Sequence, residues 1–247
     1  HLWSKVYNKL RPYRWRGADM PDEAVKMIKE FLDQFDEKLE EMENMLNTNR
    51  IFVERLEGVG VISRADAIAL GTTGPTLRGS GVEHDIRRAS PYMFYDQVDF
   101  KVAVYNEGDS LARYFVRVDE LRESVKIIYQ CLDKMPKGDI MANSPKKVLP
   151  RKTEIYTKME ELIHDFMIIN FGVKPPVGEV YHSVENPKGE LGFYIVSKGE
   201  GHPWKMKIKS PSFSNLQALG HMVKGHMISD VVAIIGSIDP VMGEADK

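Results

Sequence analysis

The sequence predicts a mainly helical α+β protein, a helical bundle with a small antiparallel sheet. Two observations carry this: apolar residues recur at helical spacing across most of residues 1–172, and the period changes to two beyond Gly172. We therefore divide the chain into a helical region at 1–172, with a Gly-rich loop at 71–92, and a region at 173–247. The latter holds the sheet, terminal helices and a carboxyl-terminal motif.

Pro21 occupies a first-turn position, Asp22 and Glu23 follow it, and Ile28, Phe31, Phe35, Leu39, Met42 and Leu46 form one stripe. This predicts a long amphipathic helix ending at Asn47-Thr48-Asn49, with Glu37, Glu40, Glu41 and Glu43 on a solvated face. Ser63, with Asp66 three residues on, starts a short helix that Gly71 stops. The stretch GTTGPTLRGSGVEHDIRRASPY has neither period and reads as an ordered loop. Its four Gly, at 71, 74, 79 and 81, permit positive φ and close backbone approach, while Arg78, Asp85, Arg87 and Arg88 demand partners. It lacks the GxxxxGK[ST] order of a phosphate-binding loop.

Asp109 or Ser110 caps a second long helix with the stripe Leu111, Tyr114, Val118, Leu121, Val125, Ile128, Leu132 and Met135, stopped by Pro136 and Gly138. Cys131, beside that stripe, reads as a packed small residue. Lys137 to Pro150 reads as a connecting loop. A third helix, marked by Ile155, Met159, Leu162, Phe166 and Ile169, would complete the bundle, with His164 solvated off its stripe. Strands follow at 180–184, 191–197 and 204–209, joined by turns at Asn186-Pro187-Lys188-Gly189 and 198–201. In the last strand Trp204, Met206 and Ile208 alternate with three lysines, which predicts one buried side. Helix returns through Leu216, Leu219 and Val223, and again from Val231 to Ile235.

Composition narrows the chemistry. Lys plus Arg number 34 against 36 Asp plus Glu, so no basic field favours nucleic acid. No apolar run approaches the ~20 residues needed to cross a bilayer, which points to a soluble chain. One cysteine cannot form an intrachain disulfide, a thiolate zinc site or an iron-sulfur cluster by itself. The chain begins at His1 and enters a Trp-, Tyr- and Arg-rich stretch directly, as though cut from inside a longer protein.

Four long segments, GVGVISRADAIALGTTGPTLRGSGVEHDIRR (58–88), RVDELRESVKIIYQCL (117–132), NPKGELGFYIVS (186–197) and KGHMISDVVAIIGSIDPVMGEADK (224–247), resemble the 49 kDa or D-type subunit family of respiratory NADH dehydrogenase, complex I. That family is related to the large subunit of nickel-iron hydrogenases. The resemblance implies a nickel-iron hydrogenase large-subunit-like fold, and a pocket for the quinone head group beside an iron-sulfur cluster held by an adjacent subunit. Electrons from NADH would pass through that cluster to quinone, with quinone reduction driving proton translocation. This chain would bind no cofactor and have no activity alone. Its partners would be the cluster-bearing B-type subunit, the C-type subunit and quinone, with no nucleic acid, and its place would be peripheral, on the cytoplasmic side of a bacterial inner membrane.

The carboxyl end supplies a chemical check. Nickel-iron hydrogenases end in DPCxxCxxH, whereas this chain has Asp239-Pro240-Val241-Met242-Gly243-Glu244-Ala245-Asp246-Lys247, with Val241 and Glu244 at the thiolate positions. Nickel and low-spin iron need those soft ligands, so hydrogenase chemistry is excluded. Carried over by position, Lys188, Asp239, Val241 and Lys247 would line or support the quinone pocket, with Arg78, Gly79, Gly81 and Asp85 as the supporting loop. The family usually ends in Arg where Lys247 stands, and its principal head-group ligands, a His and a Tyr, lie upstream of His1. The competing readings are a scaffold that contacts no quinone, and a subunit of a related membrane-bound hydrogenase-like complex.

Overall fold

The computed structural model describes residues 20–136 and 149–246. Expectations that fall on residues 1–19, on most of the 137–150 loop and on Lys247 lie outside them. The chain forms two compact units. One takes in residues 28–135, 183–192 and 208–246; the other takes in 20–27, 149–182 and 193–207.

In the first unit, α1 (Asp22–Asn47) runs antiparallel to α6 (Ser110–Asp133), because the bridging pairs progress in opposite directions: Lys29 with Asp133 at 3.2 Å, Asp33 with Tyr129, and Glu43 with Arg122. Leu32 and Leu39 of α1 are buried. Glu43 is therefore not part of the solvated acidic face; it turns inward to Arg122. Residues 48–49, expected only to end α1, also start α2 (Arg50–Leu56), since the Asn49 side chain accepts from the amides of Ile51 and Phe52. Next come α3 (Arg64–Ala69), with Ser63 as its N-cap, and two single helical turns within the expected loop, α4 (Pro75–Arg78) and α5 (Ile86–Ala89). Asp109 caps α6 by accepting from the Ala112 amide at 2.7 Å. Late in the chain stand α9 (Pro211–Leu216), α10 (Leu219–Met222), α11 (Ile228–Ile238) and α12 (Met242–Ala245), the last not foreseen. Ile62, Ala67, Leu77, Ala218, Met222, Ile234 and Ile238 close the core under the Gly-rich segment.

The expected third bundle helix is two pieces in the other unit, α7 (Lys152–Ile155) and α8 (Met159–Phe171). Neither has a buried residue, and the stripe expected to pack is exposed: Met159, Leu162, Phe166 and Ile169 all face outward, while His164 is half-buried. Strands β1 (Gly178–Asn186), β2 (Gly189–Ser197) and β3 (Lys205–Lys209) form a three-stranded antiparallel sheet in that order. The side of β3 expected to be buried is open at Trp204 and Met206, which are exposed, while Ile208 is half-buried. Cys131 is exposed rather than packed. Each of these departures has the same physical origin: an apolar stripe identifies a face that favours burial without identifying what buries it.

Candidate functional site

The site begins with two backbones brought unusually close. Gly74 has φ +66, and a Cβ there would lie 2.5 Å from the Cα of Gly189, at the start of β2; a Cβ on Gly189 would lie 2.3 Å from Thr73 Oγ1. Only paired glycines let the Gly-rich segment reach the two-residue turn Pro187-Lys188. Asn215 on α9, itself buried, ties the two together: its Oδ1 accepts from the Thr73 amide at 2.8 Å and its Nδ2 donates to the Lys188 carbonyl at 3.1 Å. In the same segment, Gly81 has φ +81 against the Asn106 side chain. Gly79 leaves only 3.0 Å between a would-be Cβ and Arg113 Cγ.

Arg78, at the end of α4, is 2% exposed and has a carboxylate on either side. Its Nη2 lies 2.7 Å from Glu120 on α6, and its Nη1 donates to Glu185 on β1 at 2.8 Å and to the His84 carbonyl at 3.0 Å. Burial alone would weaken the guanidinium's hold on its proton, but Glu120 and Glu185 outweigh it and keep the group above its ordinary value. For Glu120 the balance goes the other way, and burial pushes its carboxyl up despite Arg78. Asp85 caps α5 and receives a two-pronged bond from Arg87, which holds its carboxyl below the ordinary range against the effect of burial. Arg87 in turn lies 4.8 Å from the Phe100 ring centroid.

Lys188 and Asp239 form an ion pair. Asp239 is the left-handed C-cap of α11 (φ 57), a conformation that aspartate tolerates better than most residues. Burial, then the nearby charge of Arg117, lowers the Lys188 ammonium; Glu244 opposes them. Glu244, at one expected thiolate position, is tethered instead. Its two oxygens accept from Asn186 Nδ2 at 2.9 Å and Ser212 Oγ at 2.6 Å, which fastens α12 to the hairpin. Val241, at the other, donates its amide to Ser212 Oγ at 3.2 Å, and its side chain is 42% exposed, outside the cavity linings. Among the described residues, no group of three or more His, Cys, Asp or Glu is placed to hold a metal ion.

Two cavities meet at Arg117 and Asp239. One, of about 390 Å³, is lined by Arg78, Glu120, Glu185 and the Asn186-Pro187-Lys188 turn; the other, of about 350 Å³, by Phe52, Leu56, Tyr114, Ala233 and Ser237. Both volumes fall in the range of small-molecule sites. Behind them Arg113 is fully buried without a carboxylate, donating to the carbonyls of Gly60 and Gly108 and the hydroxyls of Ser110 and Ser237, all at 3.0 Å. Burial and the like charge of Arg117 lower it to about 10.

Of the residues singled out from sequence, the structure brings Lys188 and Asp239 together at the first cavity and puts Arg78 in its wall. Asp85 stands behind Arg87, and Gly79 and Gly81 shape the segment carrying Arg78. Sequence reasoning missed Glu120, Glu185 and Arg117. The one available signal was Arg113 and Arg117 spaced a helical turn apart on a helix whose other residues at that level are apolar.

Fold and site define an α+β protein with a charged cavity enclosed by a long helix, a glycine-rich segment and a hairpin turn. The chain belongs to the family described as respiratory-chain NADH dehydrogenase, 49 kDa subunit, whose profile matches residues 16–247. It is 57% identical over 231 residues to a D-type NADH-quinone oxidoreductase subunit of Chloroherpeton thalassium, covering 94% of this chain and 52% of that protein. To the D-type subunit of Salinibacter ruber it is 54% identical over 230 residues, covering 93% and 51%. To that of Methylacidiphilum infernorum it is 51% identical over 229 residues, covering 93% and 55%. The chain thus spans about half the length of the curated relatives it matches.

Proposed function

We propose that this chain forms one wall of the quinone pocket in a respiratory NADH:quinone oxidoreductase, beside the terminal iron-sulfur cluster of a B-type neighbour, and has no activity by itself. Quinone is the substrate, the C-type subunit is a second neighbour, and electron transfer is coupled to proton translocation. The assembly lies peripherally on the cytoplasmic side of the inner membrane; no described helix is long and apolar enough to cross a bilayer. The observation that carries the reading is the Lys188–Asp239 pair in the lining of the 390 Å³ cavity, where a hydrogenase relative would have thiolates nearby. Quinone carbonyls are hydrogen-bond acceptors, and an ammonium whose hold on its proton is weakened is suited to donate to them.

The test is Asp239→Asn in the assembled enzyme. A fall of roughly tenfold or more in quinone reductase activity, with altered sensitivity to quinone-site inhibitors, is expected, since one charge-assisted bond is worth about 1.5–3 kcal/mol. Unchanged rate and sensitivity would remove Asp239 from the site. Photoaffinity labelling with a quinone-site inhibitor separates this reading from a scaffold: a scaffold, in this complex or in a hydrogenase-like one, yields no labelled peptide from 186–197 or 236–247.

A further inference from the structure

We propose that Arg117 is a positioning residue that competes with Lys188 for the Asp239 carboxylate, and so sets how readily Lys188 gives up a proton. The inference rests on the quinone-pocket reading for its role in turnover, but its geometry stands independently. Two cations converge on one oxygen: Lys188 Nζ contacts Asp239 Oδ2, and Arg117 Nε lies 4.0 Å from the same atom. Arg117 is anchored for this. Its Nη1 donates to the Arg113 carbonyl and its Nη2 to the Ile238 carbonyl, both at 3.1 Å, so the guanidinium also holds the backbone just before Asp239. Its Nε is buried and has no hydrogen-bond partner.

A buried N–H in that state is destabilising until an acceptor reaches it. A shift of about an ångström in the Asp239 side chain, which is 45% exposed, would supply one and release Lys188 from its counter-ion. Several other charges face the pair. Glu244 on α12 favours the Lys188 ammonium, Glu120 on α6 favours the Arg117 guanidinium, Arg78 on α4 disfavours it, and Arg113, one turn earlier on α6, is a like charge beside it. Burial lowers Arg117 to about 10, so it stays charged at neutral pH and keeps acting on its neighbour. Two cations therefore share one carboxylate, Lys188 in contact with it and Arg117 held within reach, and the pairing determines which cation is left to donate.

The experiment measures Lys188 directly in the assembled enzyme, by its rate of acetylation with a small N-hydroxysuccinimide ester across a pH series, read by peptide mass spectrometry. Arg117→Gln removes the competing charge, so Lys188 should bind its proton more tightly and acetylate about three- to tenfold more slowly at fixed pH, half to one pK unit. Arg117→Lys keeps the charge without the guanidinium fork and should stay within about twofold of wild type. If Arg117→Gln disrupts assembly, the Arg117→Lys profile decides alone: a shift as large as that just given would show that backbone anchoring, not charge, matters, and would overturn the proposal. An unshifted Arg117→Gln profile overturns it equally. The alkaline limb of kcat/KM for quinone reduction is the second readout. A moved Lys188 profile with an unmoved limb would sink the quinone-pocket reading and leave the pairing intact.

Discussion

Replacing Arg78 by Met should be among the most damaging single changes in the chain. Met fills a similar length of apolar stem but leaves Glu120 and Glu185 without the cation between them. The side chains concerned are 2% (Arg78), 20% (Glu120) and 6% (Glu185) exposed, so solvent screens little of the loss. Breaking a buried pair in this way costs about 3–5 kcal/mol, mostly from the stranded carboxylates rather than from the attraction itself. That origin can be tested. In a Glu120→Gln/Glu185→Gln background the same Arg78→Met change should cost no more than about 1–2 kcal/mol, because neutral amides are far cheaper to bury unpaired. The sign with pH follows. In Arg78→Met the Glu120 carboxyl, already raised by burial, loses the opposing cation and titrates higher in the folded than in the unfolded state. The folded state then binds more protons at Glu120 as pH falls, and the variant's deficit should shrink from pH 7 towards 5. Urea unfolding followed by circular dichroism, for the single, double and triple variants at both pH values, measures all of this. A cost under about 1 kcal/mol for Arg78→Met, or an equal cost in the amide background, would refute the reasoning.

Two further outcomes are expected. Gly74→Ala puts a methyl 2.5 Å from the Gly189 backbone at φ +66, and should cost more than about 2 kcal/mol by thermal unfolding while lowering quinone reductase activity through displacement of the Lys188 turn. Asp85→Asn should cost about 3 kcal/mol at neutral pH and flatten the acid limb of the stability curve: because the folded carboxyl sits below its ordinary 3.8, its contribution is complete above that value and is lost as pH falls through the lower folded one.

How much of this was legible in the sequence depends on the range over which each feature is determined. Local signals were reliable: Ser63 and the Asp109 cap, the places of α1 and α6 in the chain, and the hairpin with its Pro187-Lys188 turn appear where residue chemistry within a few positions puts them, although Met42, Leu121, Ile128 and Met135 of the two stripes are exposed. Asn49 was read only as an ending, because a cap closing one helix and opening the next looks the same in composition. The exposed stripe of α8 and the open side of β3 failed for a different reason, since periodicity does not specify what covers a face. At the site, Lys188 and Asp239 came from resemblance to a family motif, whereas Glu120 and Glu185 meet Arg78 across 42 and 107 residues. No local pattern reports such separations. Arg78 was visible as a charge needing a partner, and its partners were not.

The ionic groups around the cavity are graded by burial, and the gradient separates two roles. Arg78 and Glu185 are almost wholly enclosed, Glu120 and Lys188 about one-fifth exposed, and Asp239 nearly half exposed. Rearranging a pair costs more the less water can compensate for its broken contacts, so the Arg78 end is fixed and the Asp239 end adjustable. The fixed end joins α4, α6 and β1, elements that contribute to the cavity wall, while the adjustable end is the more solvent-exposed part of its lining. On the quinone-pocket reading proposed above, a redox partner reaching the exposed end would meet groups able to change pairing or protonation without disturbing the wall. The inverse arrangement, with the labile pair buried and the rigid one outside, would tie every change of charge to a change of fold.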